Sequence, residues 1–250
     1  METQQSLFDD LPTTTAHQSR LQIFQPTRRP KNEVRLIETA WGTAKVHGRI
    51  GQGHADVLES IFSEAADHQI MSDGGMQILV DPHKVRVAAG GDKLSGAQLD
   101  KLITELMQVV IDMRIASTGM RCLGHIIDQV IESKVKAPTR PGAIGDDRKM
   151  WRVDVPASFV KLIQGDINLH YDPAPIAQLT NGISQAIARH VATHKHEPNG
   201  GWTIDGLIDA VGAGGTPKDK SNRRAELKRD AEGLKNVGLM LENGRLTRKK

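Results

Sequence analysis

The residues best equipped for chemistry are concentrated towards the C-terminal end of the sequence. Eleven lysines and arginines (Lys218, Lys220, Arg223, Arg224, Lys228, Arg229, Lys235, Arg245, Arg248, Lys249 and Lys250) stand there against five acids. The 250-residue chain carries a formal charge of only +3, so the +6 of residues 218–250 leaves −3 for everything before them. Such asymmetry is the electrostatic footprint of a polyanion-binding surface, because each phosphate neutralised by a cation releases condensed counterions. A helix over about 218–236 places Leu227, Ala231 and Leu234 on one stripe able to face a core. Ser221, Asn222, Ala225, Lys228 and Arg229 project from the opposite side, offering donors and acceptors to base edges around a small alanine that permits close approach to a groove. Arg223 and Arg224 lie beside the inner stripe and suit phosphate contacts. A charged helix in isolation is more simply a solvated face. This one follows a short helix and a glycine-rich turn (Gly212 to Gly215) and precedes a hairpin bearing Arg245 and Arg248, which favours double-stranded DNA as the partner.

Other chemistries are weaker. The turn Gly212-Ala213-Gly214-Gly215-Thr216-Pro217-Lys218 lacks the Gly-Lys-Ser/Thr ending of a phosphate loop. His190 and His194 are spaced for a metal pair but have no clear third ligand, and Tyr171 lacks the companion histidines of a DNA-cleaving nucleophile. Cys122 reads as a core residue, and a single cysteine excludes an intrachain disulfide and points to a reducing compartment. The expectation is therefore no enzymatic activity, no cofactor and no metal. Near the N-terminus, Gln4-Gln5-Ser6-Leu7-Phe8 sets two large apolar side chains after a glutamine, the economy of a short peptide ligand. It resembles the sliding-clamp-binding pentapeptide of bacterial replication proteins, with Gln4, Leu7 and Phe8 as the matching positions and Gln5 as a departure. An anchor docking the arm onto its own domain is the alternative.

These residues need elements to position them. With 3% aromatic residues, the cores must be aliphatic, which favours helices over an aromatic-rich sandwich. Residues 1–32 lack periodicity beyond Leu21, Ile23 and Phe24 and read as a flexible arm. Over 33–137, a hairpin turns at Trp41-Gly42 and a helix runs from about 54 to 66. A strand at 76–80, a helix capped by Asp81, a helix capped by Ser95 and β-like runs at 109–115 and 121–131 follow. The prolines and glycines of 138–149 read as a linker. Over 150–250, strands at 151–155 and 167–171 precede a helix at 181–194, a helix capped by Thr203, the basic helix, and a hairpin turning at Asn243-Gly244. The predicted fold class is α+β, with two tandem winged helix-turn-helix domains behind a flexible N-terminal arm. The first, whose second long helix sets only Lys101 against Asp100 and Glu105, suits dimerisation and weaker DNA contact, with Arg114 and Arg121 near its wing; the second carries the main DNA surface.

Trp151 to Tyr171, Ile183 to His190, Gly201-Trp202-Thr203-Ile204-Asp205 and the Arg223-Arg224 helix leading to Val237-Gly238-Leu239 resemble iteron-binding plasmid replication initiators of the TrfA and RepC-like type. The resemblance spans roughly residues 33–250 and is one of pattern and element order. It implies a protein that binds direct repeats at a replication origin through its second winged helix. Such a protein assists opening of an AT-rich segment and recruits host factors such as the replicative helicase, the host initiator and the polymerase sliding clamp. It also implies a homodimer formed through the first domain. A winged-helix transcriptional repressor of a plasmid or phage replicon is the alternative. The acids and glutamines of Met1 to Pro12 do not suit a signal peptide, and no apolar run suits a membrane span, so the bacterial cytoplasm is the expected location.

Overall fold

The computed structural model describes residues 11–137 and 148–249. The chain begins with β1 (Thr14–Thr15), α1 (Ala16–Arg20), the hairpin β2 (Glu33–Thr39) and β3 (Gly42–Gly48), α2 (Gln52–Ser63), β4 (Ala65–Ile70), β5 (Met76–Val80), α3 (Pro82–Gly90) and α4 (Gly96–Gln108). It continues through β6 (Val110–Ile115), β7 (Arg121–Gly124), β8 (Gln129–Lys136), β9 (Lys149–Val155), α5 (Ala157–Gly165), β10 (Asn168–Leu169), α6 (Ala174–Ala177) and α7 (Gly182–Ala192). The last stretch holds β11 (Trp202–Thr203), α8 (Ile204–Ala210), α9 (Pro217–Arg229), α10 (Ala231–Asn236), β12 (Leu239–Glu242) and β13 (Arg245–Arg248). The fold is mixed α+β, and the paired strands are antiparallel.

Local chemistry sets many of these boundaries. The Asp81 carboxylate accepts from the His83 N–H, with Pro82 at the first helical position, and opens α3. Ser95 and Gln98 cap α4 reciprocally. Asn243 and Gly244, both at positive φ (47° and 73°), make the tight β12–β13 turn.

Pairing is where the sequence reading needs correction. In the first half, β6 and β7 join the hairpin in a sheet of order β2-β3-β6-β7. They do not return to β5, as a wing would. The strands beside β5 are β4 and β9, in the order β4-β5-β9-β8. β9 was expected to open the second domain across a linker at 138–149, yet it pairs with β5 from Met76↔Val155 to Val80↔Trp151. The change of core comes later, since Val153, Val155, Phe159 and Ile163 belong to the first apolar cluster and the second runs from Ile176 to Leu246. Residues 138–147, on which the expected linker mostly falls, lie outside the described residues. The three strands β5-β9-β8 repeat the order β11-β13-β12 of the C-terminal sheet: first, third, second.

The arm needs correction as well. Residues 1–10, including Gln4, Leu7 and Phe8, lie outside the described residues. From Leu11 onward the chain is docked: β1 pairs with β10, Leu21 and Ile23 are wholly buried, and the Arg35 guanidinium donates to the Gln22 and Ile23 carbonyls. Anchorage here comes from single side chains inserted between elements, which carries no periodic signal. The expected single helix over 218–236 is two helices, broken at Asp230, whose φ of −94° and ψ of 9° leave the helical region. The Asp230 carboxylate is drawn into bonds with the Thr180 N–H (3.2 Å) and the Asn181 N–H (2.8 Å).

The two halves meet through a buried ionic network. Arg189 on α7 donates to both carboxylates of α2, at 2.7 Å to Asp56 and 2.8 Å to Glu59, and to the Gln52 side chain at 2.7 Å. The Gln185 amide donates to Asp56 and the Tyr171 hydroxyl to Glu59, while Arg28 stands 3.6 Å from Asp56. Gln52, Asp56, Glu59, Gln185 and Arg189 are all buried. Burial pushes the Glu59 carboxyl up. Burial alone would lower the Arg189 guanidinium, but Glu59 and Asp56 outweigh it and keep it charged.

Candidate nucleic-acid interface

α9 owes its position to caps and ion pairs rather than to apolar burial. Thr216 accepts from the Asp219 N–H, and the Asp219 carboxylate accepts in return from the Thr216 N–H and hydroxyl; Pro217 holds the first helical position. The Thr216 hydrogen bonds hold the Asp219 carboxyl below its ordinary range. Gly212, at φ +69°, turns the chain where a Cβ would stand 2.2 Å from the Gln22 side-chain oxygen. Of the thirteen residues of α9, Leu227 is the buried one. A helix polar on nearly every side gains little from its own core, so its outward face is available to a partner.

Two ion pairs clamp α9 onto α8. Arg224 makes a bidentate pair with Asp205 (2.7 and 2.7 Å), and Lys220 reaches Asp209 at 2.7 Å. The Arg224 guanidinium holds the Asp205 carboxyl below its usual range. Arg223 pairs within the helix with Glu226 at 2.9 Å. Ser221, Asn222, Ala225, Lys228 and Arg229 are exposed, as is Lys218 in the first turn. Lys218, Lys228 and Arg229 make no ion pair among the described residues. Asp230, which the sequence reading left unassigned, ties the end of α9 to the start of α7; the Asn181 side-chain amide donates both to it (3.0 Å) and to the Glu226 carbonyl (3.1 Å). An acid between two basic turns is the only local hint of this role.

The hairpin β12–β13 was expected to present Arg245 and Arg248 to phosphate, but both guanidiniums turn back onto the protein. Arg245 donates to the Gly200 and Gly201 carbonyls at 3.0 and 3.1 Å. Arg248 donates to the carbonyls of Val191 (3.0 Å), His194 and Lys195, at the C-terminal end of α7, and stacks towards Trp202. The Val191 carbonyl also accepts from the His194 N–H at 3.0 Å, and a cation at a helix C-terminus is favourable. Arg248→Ala is thus expected to cost about 2 kcal/mol of stability while leaving the salt dependence of DNA binding unchanged. Thermal unfolding followed by circular dichroism, beside a salt titration of binding, checks both halves of that expectation.

In the first half, Arg121 is taken by a bidentate pair with Asp112 (2.7 and 2.7 Å), and Arg114 is exposed in the register position opposite Arg121. Tyr171 lies outside any strand, and burial together with Glu59 pushes its hydroxyl well above the ordinary range, opposite to the need of a nucleophile. His190 and His194 stack edge to face at 4.8 Å; burial, with His194 and Arg20, lowers His190 to about 4. Among the described residues no three His, Cys, Asp or Glu side chains are grouped to hold a metal. None of their helices is long and apolar enough to cross a membrane.

No family model and no curated protein matches the chain. Among solved structures, the crystal structure of selenomethionine derivatives of domain 2 and domain 3 of RctB aligns with a TM-score of 0.57 at 12% sequence identity. The alignment covers 94% of this chain and 96% of that one. The chain shares the fold of RctB domains 2 and 3. A second crystal structure of RctB domains 2-3 aligns at a TM-score of 0.47 and 11% identity, over 93% of this chain and 94% of that one. Because the likeness to RctB runs through both halves at so low an identity, it concerns the arrangement of elements and not particular side chains.

Proposed function

We propose that this protein is a sequence-specific DNA-binding replication initiator, which binds repeated origin sites, assists opening of adjacent DNA and recruits host replication proteins. The observation that carries the reading is α9, a helix with one buried side chain whose outer face joins Ser221, Asn222 and Ala225 to the exposed cations Lys228 and Arg229, which make no ion pair among the described residues. In this reading each half is a winged helix. α7, β11, α8, α9 and the β12–β13 hairpin form the second, and α2, β5, α3, α4 and the strands β8 and β9 form the first, with β6 and β7 as an insertion. α9 is then the recognition helix, entering the major groove with its amide, hydroxyl and cations towards base edges. The fold shared with RctB domains 2 and 3 is consistent with this assignment. The protein has no catalytic site of its own in this account, and its work is binding energy spent on DNA deformation.

Nuclease footprinting of purified protein on the DNA flanking its own gene tests the reading. Evenly spaced protected repeats beside an AT-rich segment are expected; a single palindromic site over a promoter would point to a transcriptional repressor instead. Gln4, Leu7 and Phe8 are proposed to engage the polymerase sliding clamp. A Leu7→Ala, Phe8→Ala variant is expected to bind DNA normally and lose clamp binding in a pull-down with purified clamp. Retained clamp binding would remove that part of the proposal.

A further inference from the structure

The charge count along the sequence gives α4 two acids, Asp100 and Glu105, against Lys101 alone, but folding brings further cations to it from elsewhere. A groove of about 420 Å³ lies between α4, the start of α2 and the α6–α7 turn. Arg28, Arg49, Lys93 and Lys101 line it, against the single carboxylate of Glu105. That carboxylate is occupied. His54 accepts from the Gly51 N–H through Nδ1 (3.2 Å) and so donates through Nε2 to Glu105 at 2.8 Å, while Arg49 stands 3.8 Å from its other oxygen. Burial lowers His54, in keeping with a neutral ring. Arg28 is spent on the groove wall, donating to the Ala177 and Leu179 carbonyls at 3.2 Å. Lys93 and Lys101 are exposed and make no ion pair among the described residues. The loop carrying Lys93 is held by Arg86, which donates to the Gly91 and Leu94 carbonyls at 3.0 Å.

The groove adjoins the end of α9. Thr180 lines it, and the Thr180 and Asn181 N–H groups donate to Asp230, the residue directly after Arg229. Cations brought together from the loop before α2, the loop before α4 and α4 itself, open to solvent and facing one carboxylate that is already hydrogen-bonded, suit the repeating anionic oxygens of a phosphodiester backbone. We propose that this groove is a second phosphate site, in which Arg49, Lys93 and Lys101 hold the backbone of the same duplex whose bases α9 reads. The inference rests on the assignment of α9 to DNA, and it gives the first half a direct, sequence-independent share in binding.

The test is Lys93→Ala/Lys101→Ala in the full chain, beside Lys228→Ala/Arg229→Ala, with fluorescence anisotropy on a repeat duplex and an unrelated duplex between about 50 and 200 mM salt. The groove variant is expected to lose about tenfold in affinity for both duplexes alike, with the salt slope reduced by nearly two units, one for each lysine. Wild-type behaviour of the groove variant, with weakened binding by the α9 variant, would overturn the groove alone. Wild-type behaviour of both would remove the DNA assignment and the groove with it. A loss confined to the repeat duplex would overturn the backbone role, because the groove would then be reading sequence. Calorimetric binding of inorganic phosphate that needs Lys93 and Lys101, with the DNA salt slope unchanged, would make it a free-anion site instead.

Discussion

Replacing Lys228 and Arg229 together by alanine is expected to lower affinity for the origin repeat by roughly 10- to 100-fold, at about 1–3 kcal/mol for a lost base contact. Both side chains are exposed and make no ion pair among the described residues, and Arg229 makes one long hydrogen bond, to the Ala225 carbonyl at 3.4 Å, so their removal strands no buried charge. The melting temperature should stay within about a degree or two of wild type, as for an ordinary surface substitution. If both cations meet phosphates, the slope of log affinity against log salt falls by nearly two units and all duplexes are affected alike. If either meets a base, the ratio of specific to non-specific binding falls as well. Anisotropy titrations over several salt concentrations separate these cases, and unchanged repeat binding would sink the assignment of α9. Arg224→Ala serves as a contrast, since its guanidinium already holds Asp205 and its loss loosens α9 from α8.

The second large effect concerns the junction of the halves. Arg189→Met leaves Asp56 and Glu59 buried without their main counter-charge and is expected to cost about 3–5 kcal/mol. In a protein of this size that lowers the melting temperature by on the order of 10 °C. The sign of the pH dependence follows from Glu59, whose carboxyl burial already pushes up. A carboxyl raised in the folded state adds stability below its unfolded value and loses it as pH rises through the folded one. Removing Arg189 raises it further, so part of the deficit at pH 7 should be recovered near pH 5. Adding Asp56→Asn and Glu59→Gln to the Arg189 variant should also restore part of the loss, because the stranded charges are gone. Thermal melts at the two pH values measure both effects, and a single variant as stable as wild type would show that the network contributes nothing. Because Arg189 joins α7 to α2, its loss should also loosen the two halves from one another.

Much of the local architecture is legible in the chain. Asp81-Pro82, Ser95 with Gln98, Thr203 and Asn243-Gly244 mark their helix starts and turn because capping and tight turns are settled within a few residues. The polar face of α2 is a different matter. Gln52, Asp56 and Glu59 share the face a surface helix would show to water, and nothing in α2 says that α7 covers it with Arg189. The partner lies some 130 residues away, beyond any periodic signal.

What the sequence determined by itself was therefore these caps and turns, the position of the basic helix and the exposure of Ser221, Asn222, Lys228 and Arg229, all consequences of short-range hydrogen bonding and of charge that resists burial, whereas α5 and β4 carried no signal that was read. Tertiary structure alone decided that β9 returns to β5, that the arm from Leu11 onward is docked and that α9 ends at Asp230. It also tied the guanidiniums of Arg245 and Arg248 to backbone carbonyls and gathered Arg49, Lys93 and Lys101 around α4. Whether a cation faces a carbonyl, a carboxylate or open solvent depends on groups distant in sequence, because electrostatic partners are chosen by distance in space.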